Sequence, residues 1–388
     1  MPLISDTDSL AEFCDRLAQA EMVTVDTEFL RDSTYWPRLC LVQMAGPDEA
    51  RCIDALAEGI DLAPLFDLMK NEAVLKVFHA ARQDLEIFFN LMGEFPRPLF
   101  DTQLAAMVCG FGDQVGYETL VKRLMKVQID KSSRFTDWSH RPLTDRQITY
   151  ALGDVTHLRG IHRKLANRLE KTGRAHWVKA ELDSLTNPEA YLNRPEDAWK
   201  RLKAKSRAPR FLAVLRELAA WREREAQSRD MPRQRLVKDD ALLEVAAQTP
   251  RTVEDLARVR ALPAGVAKGR FGPLMIEAVA RGLAVPEEDC PEPPPRRDLP
   301  PGLGPMVDLL KVLLKMRCEE NQVAHRLIAN TEDLEAIAAD DNADVPALTG
   351  WRREVFGHDA LDLKHGRLAL AVSPDGKHIE AVELDDPH

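Results

Sequence analysis

The chain has 388 residues, 45% hydrophobic and 30% charged, with a formal net charge of −10 from 53 Lys and Arg against 63 Asp and Glu. That composition belongs to a folded protein, and the length leaves room for roughly two to four domains. Taken as a sum, the acidity argues against a nucleic-acid partner, because phosphate contacts need positive surface.

From the N-terminus to about residue 180, strand-like and helix-like segments alternate. Residues 22–29 (MVTVDTEF) predict a β-branched strand; residues 39–44 (LCLVQM) and 50–54 (ARCID) predict two more, separated by the turn-like AGPDE. Residues 74–79 (VLKVFH) predict a fourth strand. Helical spacing begins at residue 82, with Leu85, Phe88, Phe89 and Met92 on one side. Shorter helices are predicted at 105–108 and 120–125, and one long helix over 144–169 with Thr144 as its N-cap. Mixed strands and helices of this kind indicate an α/β domain. Beyond about residue 195 the strand signals stop. Residues 207–283 predict four or five short helices, one starting at Thr252 with Asp255 three residues on. The run PEEDCPEPPPRRDLPPG cannot continue a helix and marks a linker over 285–304. Residues 305–388 begin helical and end in two alternating runs around SPDG, a predicted hairpin.

Several classes drop out. No apolar run approaches the ~20 residues of a membrane-spanning helix. The start, MPLISDTDSLAEF, has neither the basic nor the apolar region of a secretion signal. The six cysteines form no CxxC pair, which leaves buried thiols in a reducing cytoplasm as their expected state. His157 and His162 are five apart, off the i, i+4 spacing of helical metal ligands. The loop from Gly110 through Gly112 to Gly116 has the wrong spacing for a nucleotide fingerprint and reads as a turn.

Four carboxylates carry the chemistry. Asp26 and Glu28, two apart on a strand, share one face, while Val23, Val25, Thr27 and Phe29 take the other. Carboxylates on a β-rich segment need solvent, a partner or a metal. Asp84 opens the helix after the fourth strand, and Tyr150 and Asp154, four apart, share a helix face. Clustered carboxylates without cysteine or histidine are hard oxygen ligands that suit Mg²⁺ or Mn²⁺.

VDTEF, HAARQDLEIF and YALGDV resemble the three exonuclease motifs of the DEDD superfamily, and Tyr150 four residues before Asp154 matches its tyrosine-bearing subgroup. With YWPRLCLVQMA, DKSSRFTDWSHRPLTDRQITYALGDV and DMPRQRLVKDDALLEVA, nearly the whole chain resembles the bacterial ribonuclease D family. The resemblance implies an α/β exonuclease domain over 1–198, ribonuclease H-like, with a mixed central sheet flanked by helices. Two small, mainly α-helical HRDC-like domains would follow, over 199–284 and 305–388. It also implies metal-dependent 3′-5′ hydrolysis of RNA, tRNA precursors among its substrates, with release of nucleoside 5′-monophosphates. Asp26, Glu28 and Asp154 would hold the ion that activates water, Asp26 and Asp84 a second ion, and Tyr150 would orient the attacking water. A DNA exonuclease using the same carboxylates and a non-catalytic RNA-binding protein are the competing readings. The intact carboxylate set argues against the last, and no membrane or obligate protein partner is indicated.

Further residues have two readings each. Phe29 stacks on the terminal base or packs in the core. His79 contacts a phosphate or sugar, or is structural. Gln83 reaches the terminal ribose, or none of the substrate. Trp138 and Arg141 are expected to fix the loop before the long helix rather than touch RNA. The charge, divided along the chain, is uneven: −8 over 1–198, +9 over 199–281, −3 over 282–298 and −8 over 299–388. The sharpest basic run, residues 199–216, holds Lys200, Arg201, Lys203 and Lys205 and no acid, an expected phosphate-tracking surface or else a solvated helical face.

Overall fold

The structure, a computed structural model, describes residues 2–129, 136–292 and 300–384. Residues 130–135 of the DKSSRF motif and 293–299 of the expected linker lie outside the described residues.

A six-stranded mixed sheet organises the first 190 residues. Its strands are β1 (Leu3–Ile4), β2 (Met22–Leu30), β3 (Arg38–Ala45), β4 (Ala50–Asp54), β5 (Leu75–Phe78) and β6 (Leu99–Asp101), in the order β1-β4-β3-β2-β5-β6. The β2–β3–β4 meander is antiparallel, and β1, β5 and β6 add parallel pairings at its two sides. The four strands read from periodicity are β2 to β5. The other two span two and three residues, too short to leave an alternating pattern.

The two faces of the sheet bury different partners. Val23, Val25, Val42 and Met44 face a core closed by α1 (Thr7–Leu17), α2 (Ala63–Lys70) and α3 (Arg82–Met92) through Phe13, Leu65 and Phe88. Beyond β6 come α4 (Thr102–Val108) and α5 (Tyr117–Met125). Leu41 and Cys52 on the opposite face pack against Trp138, Ile148 and Ala151 of the segment that leads into and forms α6 (Asp145–Thr156). Thr144 caps α6 in a reciprocal capping box with Gln147, as its sequence position predicts. The single helix expected over 144–169 is two: α7 (Leu158–Thr172) starts after a break at His157. No Gly or Pro marks that junction. The chain bends so that α6 keeps Ile148 on the sheet while α7 sends Ile161, Leu165 and Leu169 into another core. Helix α8 (Ala175–Leu185) follows.

The second unit is built on α9 (Pro209–Ser228), 20 residues long where only short helices were expected. Helices over Asp239–Gln248 and Phe271–Ala284 pack on it around Leu218, Trp221, Leu242 and Met275, with three one-turn helices between them. The crossing is close at Gly282, where a Cβ would lie 2.5 Å from the Val214 Cα. Trp199 and Phe211 are half-buried and pack against this core.

The third unit comprises helices over Gly304–Asn321, Thr331–Ala339 and His358–Lys364 and the hairpin β7 (Leu368–Val372) and β8 (Ile379–Glu383). It has no separate core: Leu310, Leu313, Ile337 and Phe356 belong to the same buried cluster as α4, α5, α7 and α8 of the first unit. The second unit instead meets the β2–β3 loop, where Asp230 accepts from the Tyr35 and Trp36 amides, both at 2.9 Å. Both helical units are therefore anchored to the sheet domain.

Candidate active site

Strand β2 lies between β3 and β5, so its residues are fixed from both sides. Asp26 pairs across from Gln43 and Glu28 from Leu41, which turns both carboxylates toward α6. Helix α6 crosses that face and brings Tyr150 and Asp154 down from above. The result is a trio: ligand oxygens of Asp26, Glu28 and Asp154 lie within 4.8 Å of one another. Together with Tyr150, they line a pocket of about 470 Å³.

Asp84 stands slightly apart. It is buried in the first turn of α3 and accepts a 2.5 Å hydrogen bond from Thr27 Oγ1. The turn before α3 is set by Asp101, whose carboxylate takes the Ala80 and Ala81 amides at 3.2 and 2.8 Å. Ala80 adopts a φ of 58°, and Asp101 holds that left-handed turn while it also caps α4.

The carboxylates repel one another at the half-buried floor of the pocket. Burial, then Asp84, Asp154 and Glu28, push Asp26 well above the usual carboxylate range. Glu28 is pushed up to about 9 by burial and by Asp154 and Asp84. Burial raises Asp84 to about 7 against the opposing Thr27 hydrogen bond. No Lys or Arg is among the described residues that line the pocket. Uncompensated acids of this kind, all oxygen donors, fit hard divalent cations, so the donor set agrees with the metal the motifs imply. The Tyr150 hydroxyl is hydrogen-bonded to Asp154, and burial followed by the surrounding carboxylates raises its pKa.

The other expected contacts fall as follows. Phe29, His79 and Gln83 all line the pocket. Strand alternation sends Phe29 to the far face, but the β2–β3 register shifts between Glu28 and Phe29, and this bulge lets the ring both line the pocket and touch the core. His79 Nδ1 lies 3.0 Å from Thr102 Oγ1, whose own proton goes to the Phe78 carbonyl, so Nδ1 donates. Its Nε2 has no hydrogen-bond partner, and burial lowers its pKa toward the neutral form. Trp138 is buried against Tyr150, and Arg141 clamps Asp54 at 2.6 and 2.7 Å, so both brace the loop before α6 as expected. Lys200 pairs with Asp197 at 2.6 Å, and Arg201 donates to Asn193 at 3.0 Å beside Glu223. Lys203 and Lys205 are exposed.

Three residues of the site carried no sequence signal. Thr27 is hidden by the same alternation rule that finds its neighbours. Tyr117, which donates to the Gly153 carbonyl at 2.9 Å between Tyr150 and Asp154, comes from a separate helix. Gln43 lies opposite Asp26 in register, buried with both amide atoms unpartnered.

Sheet order, acidic trio and helical appendages together define a metal-dependent 3′-5′ exonuclease. Residues 1–170 match a 3′-5′ exonuclease family and residues 211–279 match the HRDC domain. A ribonuclease D of Nitrobacter hamburgensis is 55% identical over 96% of this chain and 97% of its own. A ribonuclease D of Granulibacter bethesdensis is 50% identical over 98% and 96%. The crystal structure of Escherichia coli RNase D, an exoribonuclease involved in structured RNA processing, superposes with a TM-score of 0.81 at 30% identity, covering 93% of this chain and 97% of that one. The chain belongs to the ribonuclease D family of 3′-5′ exoribonucleases.

Proposed function

We propose that this exoribonuclease trims 3′ extensions from RNA precursors, tRNA precursors among them, one nucleoside 5′-monophosphate at a time. The observation that carries the reading is the convergence of Asp26, Glu28 and Asp154 within 4.8 Å in a pocket with no lysine or arginine among its described lining residues. Asp26, Glu28 and Asp154 would hold one Mg²⁺ or Mn²⁺ ion, and Asp26 with Asp84 a second. Ions so held would lower the pKa of a bound water and offset negative charge at the reacting phosphate.

The chain's own groups do the positioning. Tyr150, hydrogen-bonded to Asp154 and with its proton held more tightly than in free tyrosine, orients the attacking water rather than taking its proton. Thr27 holds the Asp84 carboxylate by its hydrogen bond. His79, with Nδ1 set against Thr102, leaves Nε2 as a buried acceptor behind the pocket wall, one that a ribose hydroxyl would reach only if the ring shifts. An acceptor suits a ribose hydroxyl and not a phosphate, which supports a sugar contact. Phe29 at the pocket wall gives the terminal base a ring to stack on, and Gln83 lies within the same lining. Lys200, Arg201, Lys203 and Lys205 would follow the phosphates upstream.

Among the described residues no helix is long and apolar enough to cross a membrane. All six cysteines are free and buried, which supports a reducing cytoplasmic location.

The test compares a 3′-extended tRNA, a matched single-stranded RNA and a matched DNA in Mg²⁺ or EDTA. Stepwise RNA shortening to 5′-monophosphates, stopped by EDTA, is expected. Faster loss of the DNA would transfer the site to a DNA exonuclease, and tight RNA binding without cleavage would support the non-catalytic reading.

A further inference from the structure

The loop between α4 and α5, read from the sequence as an ordinary turn, lines two cavities. Its C-terminal end, Gly116 with Tyr117 to Thr119, walls the carboxylate pocket. Its N-terminal end, Gly110 to Asp113, walls a groove of about 770 Å³ between the sheet domain and the C-terminal helical unit. The junction is tight there: Gly110 has a φ of 76°, and a Cβ on it would lie 2.6 Å from the Gln322 carbonyl oxygen.

The groove collects cations from segments that are acidic in sum. Arg123 comes from the end of α5, Arg168 from α7, and Lys311 and Lys315 from one face of the helix over Gly304–Asn321. Arg123 and Arg168 both stand over the Phe111 ring, at 5.0 and 5.3 Å from its centroid. Of the two acids in the lining, Asp113 is engaged with His325 and the Arg326 amide, which leaves Glu319. Lys315 is exposed and has no ion-pair partner among the described residues, while Lys311 makes only a surface pair with Asp308 at 3.0 Å.

We infer that this groove binds the phosphodiester backbone of the RNA 5′ of the scissile bond, an inference that rests on the nuclease reading above. Arg123 lies six residues along α5 from Tyr117, a rise of ~9 Å, so the groove begins a few nucleotides from the catalytic carboxylates. Cations in a row neutralise phosphates without regard to sequence, and guanidinium planes over a ring give bases a surface to stack on. An acidic protein segment would use the same charges. Residues 110–113 in the lining of the groove and residues 116–119 in the lining of the carboxylate pocket belong to one short stretch of chain, which favours the substrate itself.

The experiment uses the full chain, a fluorescent single-stranded RNA of roughly 20 nucleotides and a trinucleotide. Changing both Lys311→Ala and Lys315→Ala is expected to raise the KM of the long RNA about tenfold and to lower the slope of log Kd against log salt by ~1–2. The trinucleotide, too short to reach the groove, should change less than about twofold, and Lys311→Arg with Lys315→Arg should behave as the wild type. An unchanged salt slope, or equal losses on the two RNAs, would overturn the inference. A wild type that cleaves neither RNA would instead sink the nuclease reading, and the binding slope would still decide the groove.

Discussion

Trp177 of the sheet domain and Trp351 of the C-terminal unit stack with ring centroids 4.2 Å apart and planes 11° apart. Both rings are buried, and an Arg352–Glu181 ion pair lies beside them. The C-terminal unit is thus part of the nuclease core and not a tethered module. Trp351→Ala should cost about 3–5 kcal/mol and lower the melting temperature of the whole chain in one transition. Calorimetry that resolved a separate early transition for the C-terminal unit alone would contradict the shared core.

The second unit is held by a charged contact. Glu223 is fully buried and accepts from Arg233 at 2.5 and 2.6 Å and from the Tyr35 hydroxyl. Burial alone would raise its pKa, but Arg233 and Tyr35 outweigh it and hold the carboxylate below its ordinary value. A depressed folded pKa means that this contribution is complete above the unfolded value and is lost as pH falls through the folded one. Arg233→Ala leaves a buried carboxylate without its main partner and should cost about 3–5 kcal/mol at neutral pH. The deficit should shrink in acid, below about pH 4. Melting curves that show the same deficit across that range would contradict the assignment.

Metal affinity should carry protons. Glu28 at about 9 and Asp84 at about 7 titrate above their unfolded values, so the contribution of these two groups to the metal-free fold is complete in acid and is lost as pH rises through those values. A divalent ion takes only the ionised carboxylates. Titration calorimetry near neutral pH in two buffers of different ionisation enthalpy should therefore detect at least about one proton released per binding event. The Mg²⁺-induced rise in melting temperature should be larger at about pH 8.5 than at pH 6. Equal heats in both buffers would argue that the carboxylates are already ionised.

Sugar recognition has its own signature. If His79 Nε2 accepts a ribose hydroxyl, His79→Ala should lower the rate on RNA by about tenfold and leave DNA nearly unchanged, narrowing the preference between them. Parallel losses on both polymers would assign His79 to structure.

How far the sequence reached follows from the physics of each element. Strands β2 to β5 and helix α3 carry alternation or helical spacing over four residues or more, and they lie where that periodicity places them. Asp26 with Glu28 and Tyr150 with Asp154 were legible as pairs that share a face at i+2 and i+4 spacing, and the fold brings Asp26, Glu28 and Asp154 together; Asp84 has no such partner and came only from the motif resemblance. The break at His157 left no trace, since tertiary packing and not a Gly or Pro turns the chain there. Phe29 packs against the core face that alternation gives it, and its access to the pocket as well was hidden because the sequence does not show the bulge. The charge sum along the chain drew the eye to residues 199–216. Lys311 and Lys315, inside a block of net −8, acquire company only when the fold brings Arg123 and Arg168 beside them.

Tyr150→Phe keeps the ring and removes the hydroxyl that orients water, so turnover should fall by at least about a hundredfold with KM nearly unchanged. A matching rise in KM would place Tyr150 in substrate binding instead.

The central claim is that Asp154 joins Asp26 and Glu28 in holding the catalytic ion. Release of nucleoside 5′-monophosphates from a 3′-extended RNA, measured for the wild type and for Asp154→Asn at matched folding and saturating Mg²⁺, tests it most directly. Stepwise release by the wild type and a loss of at least about a thousandfold in the variant, with RNA still bound, are expected. Release by Asp154→Asn at a rate near the wild type would contradict it.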